Sequence, residues 1–115
     1  MHDFNIMRTL YKICAYLIVA LGTIHLVFTF FNYDHFTLNA FWFAGAGFAI
    51  IFAGFLNLAL LKVNETTVRF LCILANLICT ILFAVALPLL QQPQVLIGLL
   101  LFAFATTAAF MERRD

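Results

Sequence analysis

Serine is absent from this 115-residue sequence, and charged residues make up only 10% of it. Without serine there is no serine nucleophile. So few charges cannot hydrate an ordinary soluble surface, where about a quarter of all residues carry one. The five carboxylates, Asp3, Asp34, Glu65, Glu112 and Asp115, all lie outside the long apolar runs, which removes the embedded acid on which one type of proton-coupled antiporter relies. Glycine-rich phosphate loops, H-E-x-x-H helices and EF-hand loops are also missing. Cysteine is sparse: Cys14, Cys72 and Cys79 sit inside apolar runs with no C-x-x-C or zinc-type spacing, so they suggest neither a disulfide framework nor a metal centre. The formal charge is +1, and the six Lys and Arg residues lie between the runs. No basic patch marks a nucleic-acid partner.

What fills the chain instead is apolar: 66% of it is hydrophobic, including fifteen Phe. A soluble domain of this size could not cover that surface, whereas lipid-facing side chains need no protein over them. Four runs stand out, at 13–31, 38–61, 70–90 and 95–111. A helix crosses a hydrocarbon core about 30 Å thick with roughly 20 residues, in a range of about 17 to 25. The runs are too long for transmembrane strands and lack the alternation of a barrel. The expected fold is all-α, an antiparallel bundle of four transmembrane helices in a single integral membrane domain over residues 1–115. Arg8 and Lys12 precede the first run as they would in a signal peptide. That run is longer than a typical signal core and lacks a small-x-small cleavage site, so it reads as a retained helix.

The connections NYDHFT, KVNETTVR and QQPQ are short, which forces sequential helices to run antiparallel. Pro88 lies near the end of the third run, where a kink or early termination is expected. Orientation follows from the cations. Arg8, Lys12, Lys62, Arg69, Arg113 and Arg114 all fall on one side, and the first and third connections contain none. The positive-inside rule makes that side cytoplasmic. The expected location is the bacterial inner membrane, multi-pass, with both termini cytoplasmic; Asp34, His35, Gln91 and Gln92 then face outward, with Trp42 near the outer interface.

Helices in lipid associate through close packing and internal hydrogen bonds, so small and polar residues mark inward faces. In the second run Ala40, Ala44, Gly47, Ile51 and Gly54 follow a 4, 3, 4, 3 rhythm. That stripe suits packing within the chain or a homodimer seam. In the first run Gly22, His25, Thr29 and Asn32 share one face, and in the third Arg69, Cys72, Asn76 and Cys79 beside Thr80 repeat the idea. If both point inward, they line a narrow, weakly polar interior. Helical rise puts Asn57 and Asn76 at one inner level, about 8 to 10 Å from the basic ends, within reach of a mutual hydrogen bond. His25 falls in the outer half with Thr29 and Trp42.

His25 is the one ionisable residue inside the runs apart from the thiols. Such a residue is a functional hypothesis; the alternative is a neutral imidazole bonded to Thr29 or to another helix. A haem held by two histidines of one chain is not expected, because His2 is on the wrong side and His35 too shallow, although a symmetric dimer would present two copies of His25. Cys72 and Cys79 share a face but lie about 10 Å apart along the axis, too far to chelate one metal ion in a straight helix. The sequence specifies no cofactor.

One resemblance bears on architecture. Gly22-x-x-His25, followed by Ala40-Phe41-Trp42-Phe43 and then Gly47 and Gly54, resembles the small four-helix bacterial membrane proteins similar to the DoxX-like group. It covers the first half of the chain. The resemblance implies a compact four-helix inner-membrane protein and an association with quinone-linked redox systems, and carries over no site residue.

Three functional expectations follow. The first is a non-enzymatic, homo-oligomeric membrane protein that binds or conducts a small or lipid-like ligand near His25, Thr29, Asn32 and Trp42, with Asn57, Cys72, Asn76 and Thr80 as interior polar groups and Gly22, Ala40, Ala44, Gly47 and Gly54 as packing positions. The second is an accessory subunit of a larger membrane complex, docked through the second-helix stripe. The third is a quinone- or haem-linked redox subunit, resting on His25 alone.

Overall fold

A computed structural model of the chain describes residues 2–32, 34–90 and 92–112, except the side chains of residues 2–5 and 32. Four helices, α1 (His2–Asn32), α2 (Leu38–Lys62), α3 (Thr66–Leu90) and α4 (Pro93–Met111), account for nearly all of it, and no strand occurs among the described residues. Each contains a stretch long and apolar enough to cross a membrane. The bundle measures 51 × 24 × 19 Å, and its long axis exceeds the roughly 30 Å of a hydrocarbon core.

The helix ends follow local chemistry. The Thr37 hydroxyl accepts a hydrogen bond from the Ala40 amide at 3.1 Å and caps α2, satisfying one of the donors that a first turn leaves open. Pro93 occupies the first turn of α4, where its missing N–H costs nothing. Pro88 does not end α3, which continues to Leu90: proline forfeits its own donor and crowds the turn before it, but residues beyond it can still donate. The first run also extends further than its composition suggests. α1 starts at His2 and carries Arg8 and Lys12 within it.

α1 lies along α2 and α3 along α4; the two pairs close mainly through α1 against α4 and α2 against α3. The glycines explain the first pairing. A Cβ on Gly22 would stand 2.8 Å from the Gly47 carbonyl oxygen, and one on Gly47 would stand 3.1 Å from the Gly22 carbonyl oxygen, so the two backbones touch where side chains are missing. Gly54 meets Val19 in the same way. The Gly47, Ile51 and Gly54 part of the α2 stripe is thus used within the chain, against α1. In the second pair a Cβ on Gly98 would run into the Phe83 ring.

The core reads as helical stripes. Tyr11, Ala15, Ile18 and Gly22 are buried on α1, and Val95, Gly98, Phe102, Ala105, Ala109 and Glu112 are buried on α4, at the spacing of three and four that returns to one face. Outside, Phe30, Phe48, Phe52, Phe55, Ile81, Leu82 and Leu100 are exposed. Such a coat would not persist in water but suits contact with hydrocarbon.

Candidate functional site

Three polar features occupy three heights of this apolar bundle. At the basic end Arg8 makes an ion pair with Glu112 and donates to the Leu61 carbonyl. Asn64 Nδ2 donates to the Glu112 carbonyl at 3.3 Å, and Arg69 donates to the Phe110 carbonyl. The start of α1, the end of α2, the α2–α3 connection, the start of α3 and the end of α4 are thereby tied together. Arg8, Lys12, Lys62 and Arg69 gather at this end; Arg113 and Arg114 lie outside the described residues.

Deeper in, a buried cluster joins α1, α2 and α3. The Asn57 and Asn76 side chains form a reciprocal amide pair, with Asn57 Nδ2 donating to Asn76 Oδ1 at 2.9 Å and Asn76 Nδ2 to Asn57 Oδ1 at 2.7 Å. Tyr11 Oη donates to Asn57 Oδ1 at 2.5 Å, and Cys72 Sγ donates to the same oxygen at 3.1 Å. Tyr11 Oη and Cys72 Sγ are themselves 3.4 Å apart, and all four residues are fully buried. Thr80 Oγ1 donates to the Asn76 carbonyl at 2.7 Å and lies 3.3 Å from Thr106 Oγ1, which carries the polar contact to α4. With every amide and hydroxyl paired, the cluster is a register lock for the helices, not an open binding site.

At the far end a cavity of about 250 Å³ lies between the helix pairs. Its walls include Leu21 and His25 of α1, Ala46, Ala49 and Ile50 of α2, Cys79, Leu82, Phe83 and Ala86 of α3, and Gln92, Gln94 and Val95 around the start of α4. The gap follows from composition: Ala46, Ala49 and Ala86 are too small to close the space between α2 and α3. Leu82 and Leu90, both exposed, belong to the same wall, so the cavity meets the bundle surface between α2 and α3, where lipid would stand.

The His25 ring stacks on Phe43, with centroids 3.8 Å apart and planes 14° from parallel. Its Nε2 is buried and has no hydrogen-bond partner among the described residues. Thr29 does not supply one: its hydroxyl turns back to the His25 carbonyl at 3.4 Å, as hydroxyls within helices commonly do. Trp42 stays apart from His25. It is 64% exposed and meets Phe41 edge-on at 5.7 Å, because two residues past Ala40 is about 200° around the helix from the packed face. The Asn32 side chain lies outside the described residues.

Between the cavity and the asparagine cluster, Ile18, Ile50, Ala53 and Phe102 fill the core, and Phe83 packs on Phe102 with ring centroids 5.5 Å apart. The polar interior is therefore split in two by an apolar layer. Tyr11, Thr106 and Glu112 are the polar core residues that the run-by-run reading passes over. Tyr11 continues the Gly22 stripe backwards at spacings of three and four, and Glu112 ends the buried α4 stripe in the same way, so a longer periodicity search would have found both.

These features define a class: an α-helical bundle with four membrane-spanning helices, the build of a multi-pass integral membrane protein. Comparison with protein-family models, curated proteins and solved structures finds no match to the chain.

Proposed function

We propose that this chain is a multi-pass protein of the bacterial inner membrane, with both ends cytoplasmic, that holds a small lipid-like molecule in the cavity beside His25. The observation that carries the reading is the His25 ring on the wall of a largely apolar cavity, with its Nε2 buried and without a hydrogen-bond partner among the described residues. Leaving such an atom unpaired costs about 1 to 3 kcal/mol, which a ligand placing a polar group there would recover. In a neutral imidazole one ring nitrogen donates and the other accepts, so Nε2 takes either part according to the tautomer. The matching ligand group is a hydroxyl, which both donates and accepts. The volume suits a ring or head group, with any tail leaving between α2 and α3 into the bilayer. Holding fits better than conducting, because Ile18, Ile50 and Phe102 block the bundle axis.

A homo-oligomer remains part of this proposal, with its seam on a face other than the α2 stripe that α1 fills. The same occupancy weighs against an accessory subunit docked through that stripe. The test is native mass spectrometry from lipid nanodiscs, comparing wild type with His25→Ala. A non-covalent adduct present in wild type and lost in the variant identifies the ligand class by its mass. If both release only bare chains, the ligand reading fails; an unrelated protein co-released with both would support the accessory-subunit reading instead.

A further inference from the structure

The polar groups of the cavity beside His25 gather at one of its ends. Arg8 and Glu112 meet at the basic end of the bundle and give α1 and α4 a common origin, from which helical rise carries His25 and Gln94 outward by about 26 Å and about 27 Å. Both residues line the cavity, so an imidazole and a carboxamide border it at nearly one level. Gln92, the cap residue of α4, lines it beside them. Gln94 Nε2 donates to Gln92 Oε1, which leaves Gln92 Nε2 as a donor and Gln94 Oε1 as an acceptor at the rim. The other end is apolar. Ile50, counted back from the Leu61 carbonyl that Arg8 also reaches, lies only about 16 Å out, and it shares the wall with Ala49, Cys79 and Leu82. No Asp, Glu, Lys or Arg among the described residues lines the cavity.

Taking this cavity as a ligand site, on which the assignment rests, we infer that its occupant is an uncharged single-chain lipid with a head of two or more hydroxyls, of the monoacylglycerol kind. One hydroxyl pairs with His25 Nε2 and a second with the Gln92 and Gln94 carboxamides, while the chain lies along Ile50 and Leu82 and leaves between α2 and α3. Neutrality follows from the burial of Nε2. His25 lies about 10 Å inside the outer end of α1, so the group that pairs with it must leave water, and an ionised head would do so with no Lys, Arg, Asp or Glu on the wall to answer its charge. The polyol follows from the two stations: a single hydroxyl engages His25 but leaves the carboxamides, held on another helix, without a ligand partner. A volume of about 250 Å³ lies below the range of about 300 to 1,000 Å³ usual for ligand pockets, which favours one chain over two.

The test titrates the purified protein in a neutral detergent with three oleoyl-chain lipids and counts adducts by native mass spectrometry: monooleoylglycerol, oleyl alcohol with its single hydroxyl, and monooleoylglycerol phosphorylated on one hydroxyl. Wild type should bind monooleoylglycerol about fivefold more tightly than oleyl alcohol, the scale of one further hydrogen bond, and about a hundredfold more tightly than the phosphorylated lipid, the scale of an uncompensated buried charge. Gln92→Leu/Gln94→Leu should bring the two neutral lipids to within about twofold of each other. Both glutamines are exposed, so the fold should survive; if cooperative unfolding is lost, the single variants Q92L and Q94L are read by the same criterion. Equal binding of the phosphorylated lipid, lost in His25→Ala, would overturn the uncharged head and leave the cavity as a ligand site. A preference for monooleoylglycerol over oleyl alcohol that survives in the glutamine variants would overturn the polyol assignment. Monooleoylglycerol bound equally by wild type and His25→Ala would overturn both the assignment and the cavity reading beneath it.

Discussion

Replacing Asn57 by leucine tests the central packing argument most directly, because its amide is the hub of the buried cluster. Asn57 Oδ1 accepts from Tyr11, Asn76 and Cys72, and Asn57 Nδ2 donates to Asn76 Oδ1 and to the Ala53 carbonyl. The substitution removes three strong interhelical bonds, one to Tyr11 and two to Asn76, each contributing about 0.6 kcal/mol in a membrane bundle. It also strands the buried Asn76 carbonyl, at about 1 to 3 kcal/mol. The expected loss is therefore about 3 to 5 kcal/mol. Tyr11→Phe deletes only one of these bonds and leaves Asn57 Oδ1 with two donors, so it should cost about 1 kcal/mol. Asn57→Leu/Asn76→Leu removes the stranded partner as well and should be less destabilised than the two single variants predict together. Reversible unfolding in mixed micelles of increasing dodecyl sulfate content measures wild type and the four variants, Asn76→Leu among them. The reasoning is refuted if Asn57→Leu lies within about 0.5 kcal/mol of wild type, or if the double variant shows simple additivity.

Other positions make separate demands. Gly22→Ala should destabilise by about 1 to 3 kcal/mol, because its Cβ meets backbone atoms of α2 that cannot move aside. Gly45→Ala meets nothing within 4 Å and should be neutral or stabilising by up to about 1 kcal/mol; the same unfolding assay ranks the pair, and equal effects would contradict the packing described. Glu112→Gln should cost about 1 to 3 kcal/mol. Its side chain is only 4% exposed, but that of Arg8 is 31% exposed, so water softens the loss of the ion pair. An unfolding midpoint unaffected by Glu112→Gln would show that the pair does not hold the basic end together. His25→Ala, measured without bound ligand, should lose only about 0.5 to 1.5 kcal/mol from the Phe43 stack, and a much larger loss would mean that the imidazole is chiefly a structural part. Gly98→Ala should push Phe83 toward the cavity and reduce adduct retention by native mass spectrometry while leaving His25 in place; full retention would show that Phe83 moves elsewhere.

Much of the architecture is legible residue by residue. The α2 rhythm from Ala40 to Gly54 announces a close helix contact, because only missing side chains let backbones approach. It does not say whose backbone approaches, and the answer, α1 through Gly22, depends on a contact between separate runs. Asn57 and Asn76 are placed at one level by helical rise alone, yet the part Tyr11 plays between them is hidden. Arg8 and Lys12 make that segment look like a polar flank, when α1 carries its buried face straight through them. Trp42 shows the opposite error of scale: its depth matches that of His25, but its azimuth turns it away from the interior. Gln92 and Gln94 at the cavity wall carry no local signal, since nothing in a polar turn reveals that it borders a gap between distant helices.

The sequence by itself determined the helices and the fold class. In a low-dielectric slab each run must satisfy its own backbone hydrogen bonds, and short connections make neighbours antiparallel, so composition and length suffice. Only the tertiary structure decided which stripe meets which, that the interior is divided by an apolar layer, and that His25 keeps an unpaired nitrogen beside a cavity. Those outcomes arise from atoms on different helices competing for the same few ångströms of space, and no run of residues encodes that competition within itself.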